Sequence, residues 1–187
     1  MPQSWKPFRN KKMTDKQKTM GLWWYVDDCN MNIATANTLA GQYDSVDKES
    51  IKQQLRLIQE EVKELQQAVD ENEGDAAFLK EACDVYVVLL GLMHKLEIVG
   101  WNVEKALLQT TENNLTKFVS GEDVETLALT TEMYKEKGIE ITTKYNEEYD
   151  MFAIVNKQTG KFLKPAWYKK ADVSNCIPKW EQLELNF

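Results

Sequence analysis

Between residues 51 and 69 the apolar side chains Ile51, Leu55, Ile58, Val62, Leu65 and Val69 recur at alternating spacings of four and three without a miss. That period belongs to one face of an α-helix, and such a stripe has to be buried against another element. A helix over roughly 48–71 follows, begun by Asp47 or Ser50. "ENEGDA" interrupts it at Gly74, and Asp75 is placed to cap a second helix running to about Val99. From Val85 to Met93 this second helix is apolar all the way round apart from the tyrosine hydroxyl. A helix of that kind belongs in the middle of a bundle, so the chain is predicted to be mainly α.

The flanking sequence fits that plan. A helical pattern from Met20 to about Gln42 is closed by Gly41, another from Asn102 reaches about Phe118, and a further one starts at Ser120 or Asp123 and stops at Gly138. Beyond Gly138, "IEITTKY", "YDMFAIV" and "KFLK" alternate polar and apolar residues, with "NKQTG" as the turn between the last two. They predict a β-hairpin or a three-stranded appendage, followed by irregular chain. The expected organisation is therefore a basic arm (1–18), a helical bundle (19–138), and a small β-hairpin extension packed on it (139–187). The arm reads as mobile, the alternative being one that packs on a partner subunit through Trp5 and Phe8.

Composition removes several classes of function. A net charge of −7 lacks the basic footprint that nucleic-acid binding requires. No run of 18 apolar residues is available to span a membrane, and the N-terminal stretch has no apolar signal-peptide core. Cys29, Cys83 and Cys176 are widely spaced and odd in number, the usage of a reduced, cytoplasmic protein. With His94 as the single histidine, histidine-rich zinc sites and Glu-x-x-His di-iron bundles are excluded. A Ser-His-Asp triad would have to use a histidine set inside a greasy helix.

The acids are where the chemistry concentrates. Stepping about 100° per residue from Ile58, the apolar stripe centres near ~20°, whereas Leu57, Glu60, Glu61, Glu64 and Ala68 gather near about −110°. On the next helix Glu81 and Asp84 are three apart and share a face with Ala77, Val88 and Gly91. Two like charges about 4 Å apart repel by about 4 kcal/mol at an effective dielectric of about 20. Converging carboxylates therefore call for a cation between them, and an all-oxygen set selects magnesium or manganese over zinc. The alternative is a set of ordinary surface glutamates paired with Lys63 and Lys80.

"EEVKE", sixteen residues, then "EACD" resembles the E-E-x-x-E…E-x-x-D signature of MazG-like, all-α nucleoside triphosphate pyrophosphohydrolases. "ENNLTKF" is similar to the family's Asn-Asn-Met-Thr-Lys segment, with Leu115 in the methionine position. "KFLKPAWYKKADV" is similar to the Lys-x-Pro-x-Tyr-x-x-Ala-Asp tail of one subgroup. Together these cover roughly residues 50–173. The resemblance implies a dimeric or tetrameric helical bundle that holds magnesium and converts a nucleoside triphosphate, often a deoxynucleotide, to monophosphate and pyrophosphate. It implies Glu61, Glu64, Glu81 and Asp84 as metal ligands, with Glu60 or Glu61 activating water.

In the fourth helical segment Val103, Leu107, Thr110, Asn114 and Lys117 continue an inward face, bringing an amide and a lysine to a helix end. There Lys117 can meet a phosphate as a point charge, or simply oppose the helix dipole. Lys164, Trp167 and Tyr168 are expected either to close over the nucleotide, as the tail resemblance implies, or to belong to a hairpin that packs Trp167 on the bundle. Trp23, Trp24 and Tyr25 fit either a base pocket or the core. The alternatives to a nucleotide pyrophosphohydrolase are a phosphoribosyl-ATP pyrophosphohydrolase and a non-catalytic helical protein whose acidic faces bind a basic partner.

Overall fold

The computed structural model describes residues 23–178, and of 23–27 only the backbone. The basic arm, with Trp5 and Phe8, and the side chains of Trp23, Trp24 and Tyr25 lie outside the described residues. Two compact units divide the chain, one containing 23–103 and 176–178 of the described residues, the other 104–175. The division falls where the fourth helix begins rather than after Gly138. Two of the helices assigned to the bundle thus belong with the sheet, because that sheet is too small to bury a face alone.

The first unit is built from α1 (Trp23–Leu39), α2 (Lys48–Asp70) and α3 (Asp75–Ile98). α1 ends at Gly41, whose φ of +67° is the left-handed stop open to glycine. α2 starts on a capping box: the Asp47 carboxylate accepts from the Ser50 amide at 2.8 Å, and the Asp47 amide donates to Ser50 Oγ at 3.0 Å. α3 is preceded by Gly74 at φ +97°, with Asp75 as its first helical residue rather than its cap. An acid in that first turn still favours the helix through its dipole.

α2 and α3 lie antiparallel, and their interface is polar along much of its length. Ser50 O faces Lys95 Nζ at 3.3 Å, the Gln54 amide donates to Val88 O at 2.8 Å beside Gly91, and the Glu61 carboxylate meets those of Glu81 and Asp84. The levels Ser50–Lys95, Gln54–Gly91 and Glu61–Asp84 advance by four and then seven residues on both helices, in opposite directions. On α2 the face turned to α3 is thus Gln54, Glu61 and Ala68, of which Gln54 and Ala68 are each 3% exposed. The neighbouring stripe Leu55, Val62 and Val69 stays open at 42%, 48% and 54%.

The expectation that α3 lies buried on all sides is met on one side only. Ala77, Glu81, Asp84, Val88, Gly91 and Lys95 form its seam against α2, while Phe78, Leu79, Tyr86, Val87 and Leu89 are exposed. Gly91 is needed at the seam: a Cβ there would lie 3.1 Å from Gln54 Nε2 and 3.5 Å from Asn37 Nδ2. Among the described residues no helix is long and apolar enough to cross a membrane.

The second unit holds α4 (Val103–Leu115), β1 (Val119–Ser120), α5 (Val124–Glu136), β2 (Ile141–Asn146) and β3 (Met151–Asn156). The sheet is antiparallel in the order β1-β3-β2, with Thr143 opposite Ile154 and Val119 opposite Phe152. α4 stops at Leu115, and turns carry the chain to Phe118 before β1, a two-residue strand too short to show alternation in the sequence. "KFLK" contributes one bridge, Phe162 to Val155, instead of a full strand. Asp123 caps α5 by accepting from the Thr126 amide at 3.0 Å. Val119, Thr130, Ile154 and Val155 form the buried centre. The 163–166 stretch is pinned to α5 there: the Tyr134 hydroxyl donates to Lys164 O at 2.9 Å, and the Ala166 amide to Thr130 Oγ1 at 3.0 Å.

Candidate metal centre

The position of Glu61 follows from the register of α2 on α3. It stands one heptad from both Gln54 and Ala68, so the helix cannot bury those two without turning Glu61 inward between them. Glu81 and Asp84 occupy the matching level of α3. One carboxylate oxygen from each of Glu61, Glu81 and Asp84 lies within 4.8 Å of the other two.

This crowding has electrostatic consequences. Burial, followed by repulsion from Glu64, Asp84 and Glu81 and partly opposed by Lys80, holds the Glu61 carboxyl above the usual range for its type. Glu64 is thus close enough to act on Glu61, but it is exposed and its oxygens stand apart from the three that converge. Glu60 is exposed and likewise not among them, because on α2 it falls about 100° round the helix from Glu61, off the seam. Sequence reasoning placed all three glutamates on one face; the geometry selects Glu61.

Lys80 bridges the acids of α3, donating to Glu81 Oε1 at 2.9 Å and to Asp84 Oδ2 at 2.8 Å. Those two bonds push its own ammonium pKa up. The pairing anticipated for Lys80 is therefore present, whereas Lys63 has no carboxylate within ion-pair distance among the described residues. Lys80 does not complete the cluster. Glu81, with a side chain only 12% exposed, keeps Oε2 buried without a hydrogen-bond partner. A carboxylate oxygen left this way wants a cation or a donor, and the donor chemistry of the cluster, carboxylate oxygen throughout, suits a hard divalent ion.

The anticipated substrate contacts lie in the second unit. Lys117 Nζ, in the turn just after α4, donates to Asn114 Oδ1 in the helix's last turn at 2.7 Å. Lys164 Nζ stands 4.9 Å from the centre of the Tyr168 ring, a cation–π distance. Asn113, which sequence reasoning passed over in favour of Asn114, ties the tail to α4: its Oδ1 accepts from the Tyr168 hydroxyl at 2.7 Å, and its Nδ2 donates to Lys169 O at 2.8 Å. No local pattern signals that role, because its partners are more than fifty positions away.

Deeper in the α2–α3 seam, Lys95 is 1% exposed, and among the described residues its hydrogen-bond partners are Gln42 Oε1 at 3.4 Å and Ser50 O at 3.3 Å. Burial lowers its ammonium pKa, and Asp47 offsets this in part. Beside it His94 Nδ1 is 2.8 Å from the Tyr43 hydroxyl, which makes the lone histidine a tie to the α1–α2 connection.

Comparison with protein-family models, curated proteins and solved structures gives no match.

Proposed function

We propose that the chain is a magnesium-dependent pyrophosphohydrolase that converts a nucleoside triphosphate, most readily a deoxynucleotide, to the monophosphate and pyrophosphate. The observation that carries this reading is the convergence of Glu61, Glu81 and Asp84 on two antiparallel helices, with a buried Glu81 oxygen left unpartnered. Those three residues would hold the ion, with Glu64 near enough to join the set; manganese fits the same donors. A bound divalent ion would supply charge neutralisation at the phosphates and a more acidic water. The specific site of cleavage comes from the resemblance of "EEVKE…EACD" and "ENNLTKF" to the MazG-like family.

This chain's own residues would contribute as follows. Glu61 would be the inner carboxylate that takes a proton from water, and Glu60 the outer acid that accepts it onward. Lys80 would give up its two carboxylates to the ion as substrate binds. The nucleotide contacts that the resemblance assigns, Asn114, Lys117, Lys164 and Tyr168, all belong to the second unit. The exposed apolar side of α3, with Leu79, Tyr86 and Leu89, would be covered by a second copy in a homodimer or homotetramer. The compartment would be the cytoplasm.

The deciding assay incubates the protein with each NTP and dNTP plus magnesium and identifies the products. Monophosphate with pyrophosphate is expected; orthophosphate release, or no turnover of any nucleotide, rejects the reading. Phosphoribosyl-ATP is included as the substrate of the closest alternative activity. A non-catalytic reading is favoured by one observation, the double salt bridge of Lys80, which gives the acids a metal-free partner. It requires that Asp84→Asn leave function intact.

A further inference from the structure

On α1 the inward side chains among the described residues are Asn30, Ile33, Ala34 and Asn37, the one-sided spacing of a helix laid on another, here α3. The two helices run in the same direction. A Cβ at Gly91 would lie 3.5 Å from Asn37 Nδ2, and further along the chain on each side Gln42 and Tyr43 meet Lys95 and His94. Asn37, Gln54 and Gly91 therefore form one layer across the three helices. Stepping back one heptad on α1 and α3, and forward one on the antiparallel α2, gives Asn30, Asp84 and Glu61. A heptad is about two turns, so the same faces meet again and Asn30 stands at the level of the acids.

Two oxygens at that level are stranded. Asn30 Oδ1 and Glu81 Oε2 are buried, and neither has a hydrogen-bond partner. Among the described residues no other buried side-chain nitrogen or oxygen is left in that state. Both atoms are acceptors, so neither can satisfy the other. A cation between them satisfies both at once.

We propose that Asn30 is a ligand of the cation gathered by Glu61, Glu81 and Asp84, with its amide oxygen as the donor from α1. The assignment rests on the metal-centre part of the proposed function and not on hydrolysis. Amide carbonyl oxygens serve hard cations as carboxylates do. A neutral donor also suits this place, since three carboxylates already outweigh a divalent charge and a fourth would add repulsion. All three helices of the first unit then hold one ion. The rival arrangement turns the amide end for end, so that Nδ2 donates to Glu81 Oε2 and merely positions it. Asn30→Asp separates the two, because it keeps an oxygen and loses the donor.

The test titrates magnesium and manganese into the full metal-free chain by calorimetry, for the parent and for Asn30→Asp, Asn30→Leu and Asn30→Ala. Circular dichroism checks that each variant keeps its helices, and Tm is read in EDTA. Changing even the outer partners of metal ligands costs about 10–100-fold in affinity, so Asn30→Leu and Asn30→Ala should weaken both ions about tenfold or more. Asn30→Asp should bind at least as tightly as the parent, while its Tm in EDTA falls below the parent's as a further carboxylate joins the cluster. The Asn30 side-chain amide signal in an NMR spectrum should shift when the parent is saturated with magnesium. This pattern upholds the assignment whether or not any nucleotide is turned over. Parent-like affinity in Asn30→Leu and Asn30→Ala overturns the assignment and leaves the acid centre standing. Asn30→Asp as weak as Asn30→Ala overturns it in favour of the donor role. A parent that binds neither ion removes the metal centre, and this ligand with it.

Discussion

Replacing Asp84 by asparagine separates a metal site from a salt-bridge cluster with one side chain. Asp84 sits within 4.8 Å of both Glu61 and Glu81, measured between their nearest suitable oxygens. At an effective dielectric of about 20 each such pair repels by about 3.5 kcal/mol. The Asp84 side chain is 37% exposed, so solvent screens much of this. The substitution also breaks the contact with the exposed Lys80, a pair of the kind that contributes little. A net gain of about 1 kcal/mol remains, which for a chain this long raises Tm by about 2–4 °C in EDTA. Magnesium should act the opposite way. At about 100 times its Kd, an ion binding the native state adds about 2.7 kcal/mol to the parent protein. Most of that increment should vanish in Asp84→Asn. Scanning calorimetry of both proteins, with EDTA and with magnesium, gives all four numbers. A parent Tm indifferent to magnesium, together with a lower Tm for the variant in EDTA, would show that Lys80 and the acids form a structural ion cluster and would remove the metal centre.

Three other outcomes are expected. Lys95→Met should stabilise the fold by about 1–3 kcal/mol at neutral pH in urea denaturation, since it replaces a buried charge that has no carboxylate partner among the described residues. The parent should gain stability as pH rises through the lowered Lys95 pKa toward the ordinary lysine value, because there the folded state holds fewer protons than the unfolded chain; the variant should lose this alkaline gain. Gly121→Ala should cost about 1–3 kcal/mol, because its Cβ would overlap the Asp150 carboxylate that Tyr145 holds at 2.8 Å. Asp150→Gly, which also relieves a φ of +52°, should rescue it in a double-mutant cycle. Leu79→Lys, on the exposed apolar side of α3, should reduce the mass seen in sedimentation to that of one chain while leaving helix content unchanged.

Among the described residues the number and type of helices were legible because the periods of 3.6 and 2 survive in a single chain. The face of α2 that meets α3 was not. Of the stripe read as core, Ile51 is buried and Ile58 and Leu65 are half-buried, but Leu55, Val62 and Val69 are exposed, because the buried side is displaced toward Gln54, Glu61 and Ala68. Hydrophobicity reports that a surface will be covered, not whether by the same chain, so the exposed Leu55, Val62 and Val69 look identical in sequence to core. That displacement also explains the acids: Glu61 could be placed with Glu81 and Asp84 on charge alone, whereas the outward position of Glu60 depends on a rotation that periodicity leaves free. Lys95 reads as an ordinary last-turn lysine, and only the antiparallel register puts it opposite Ser50.

The polar contacts between α2 and α3 set a vernier on the pair. An interface of leucines alone would let one rod slide a turn past the other at modest cost. Here a slip would take Gln54 off the Val88 carbonyl, strand the Lys95 ammonium without its oxygen ligands, and park the carboxylates against aliphatic neighbours. Misaligned helices are rejected as they dock, so the alignment that gathers the three acids is also the one the folding chain can most easily tell from its rivals.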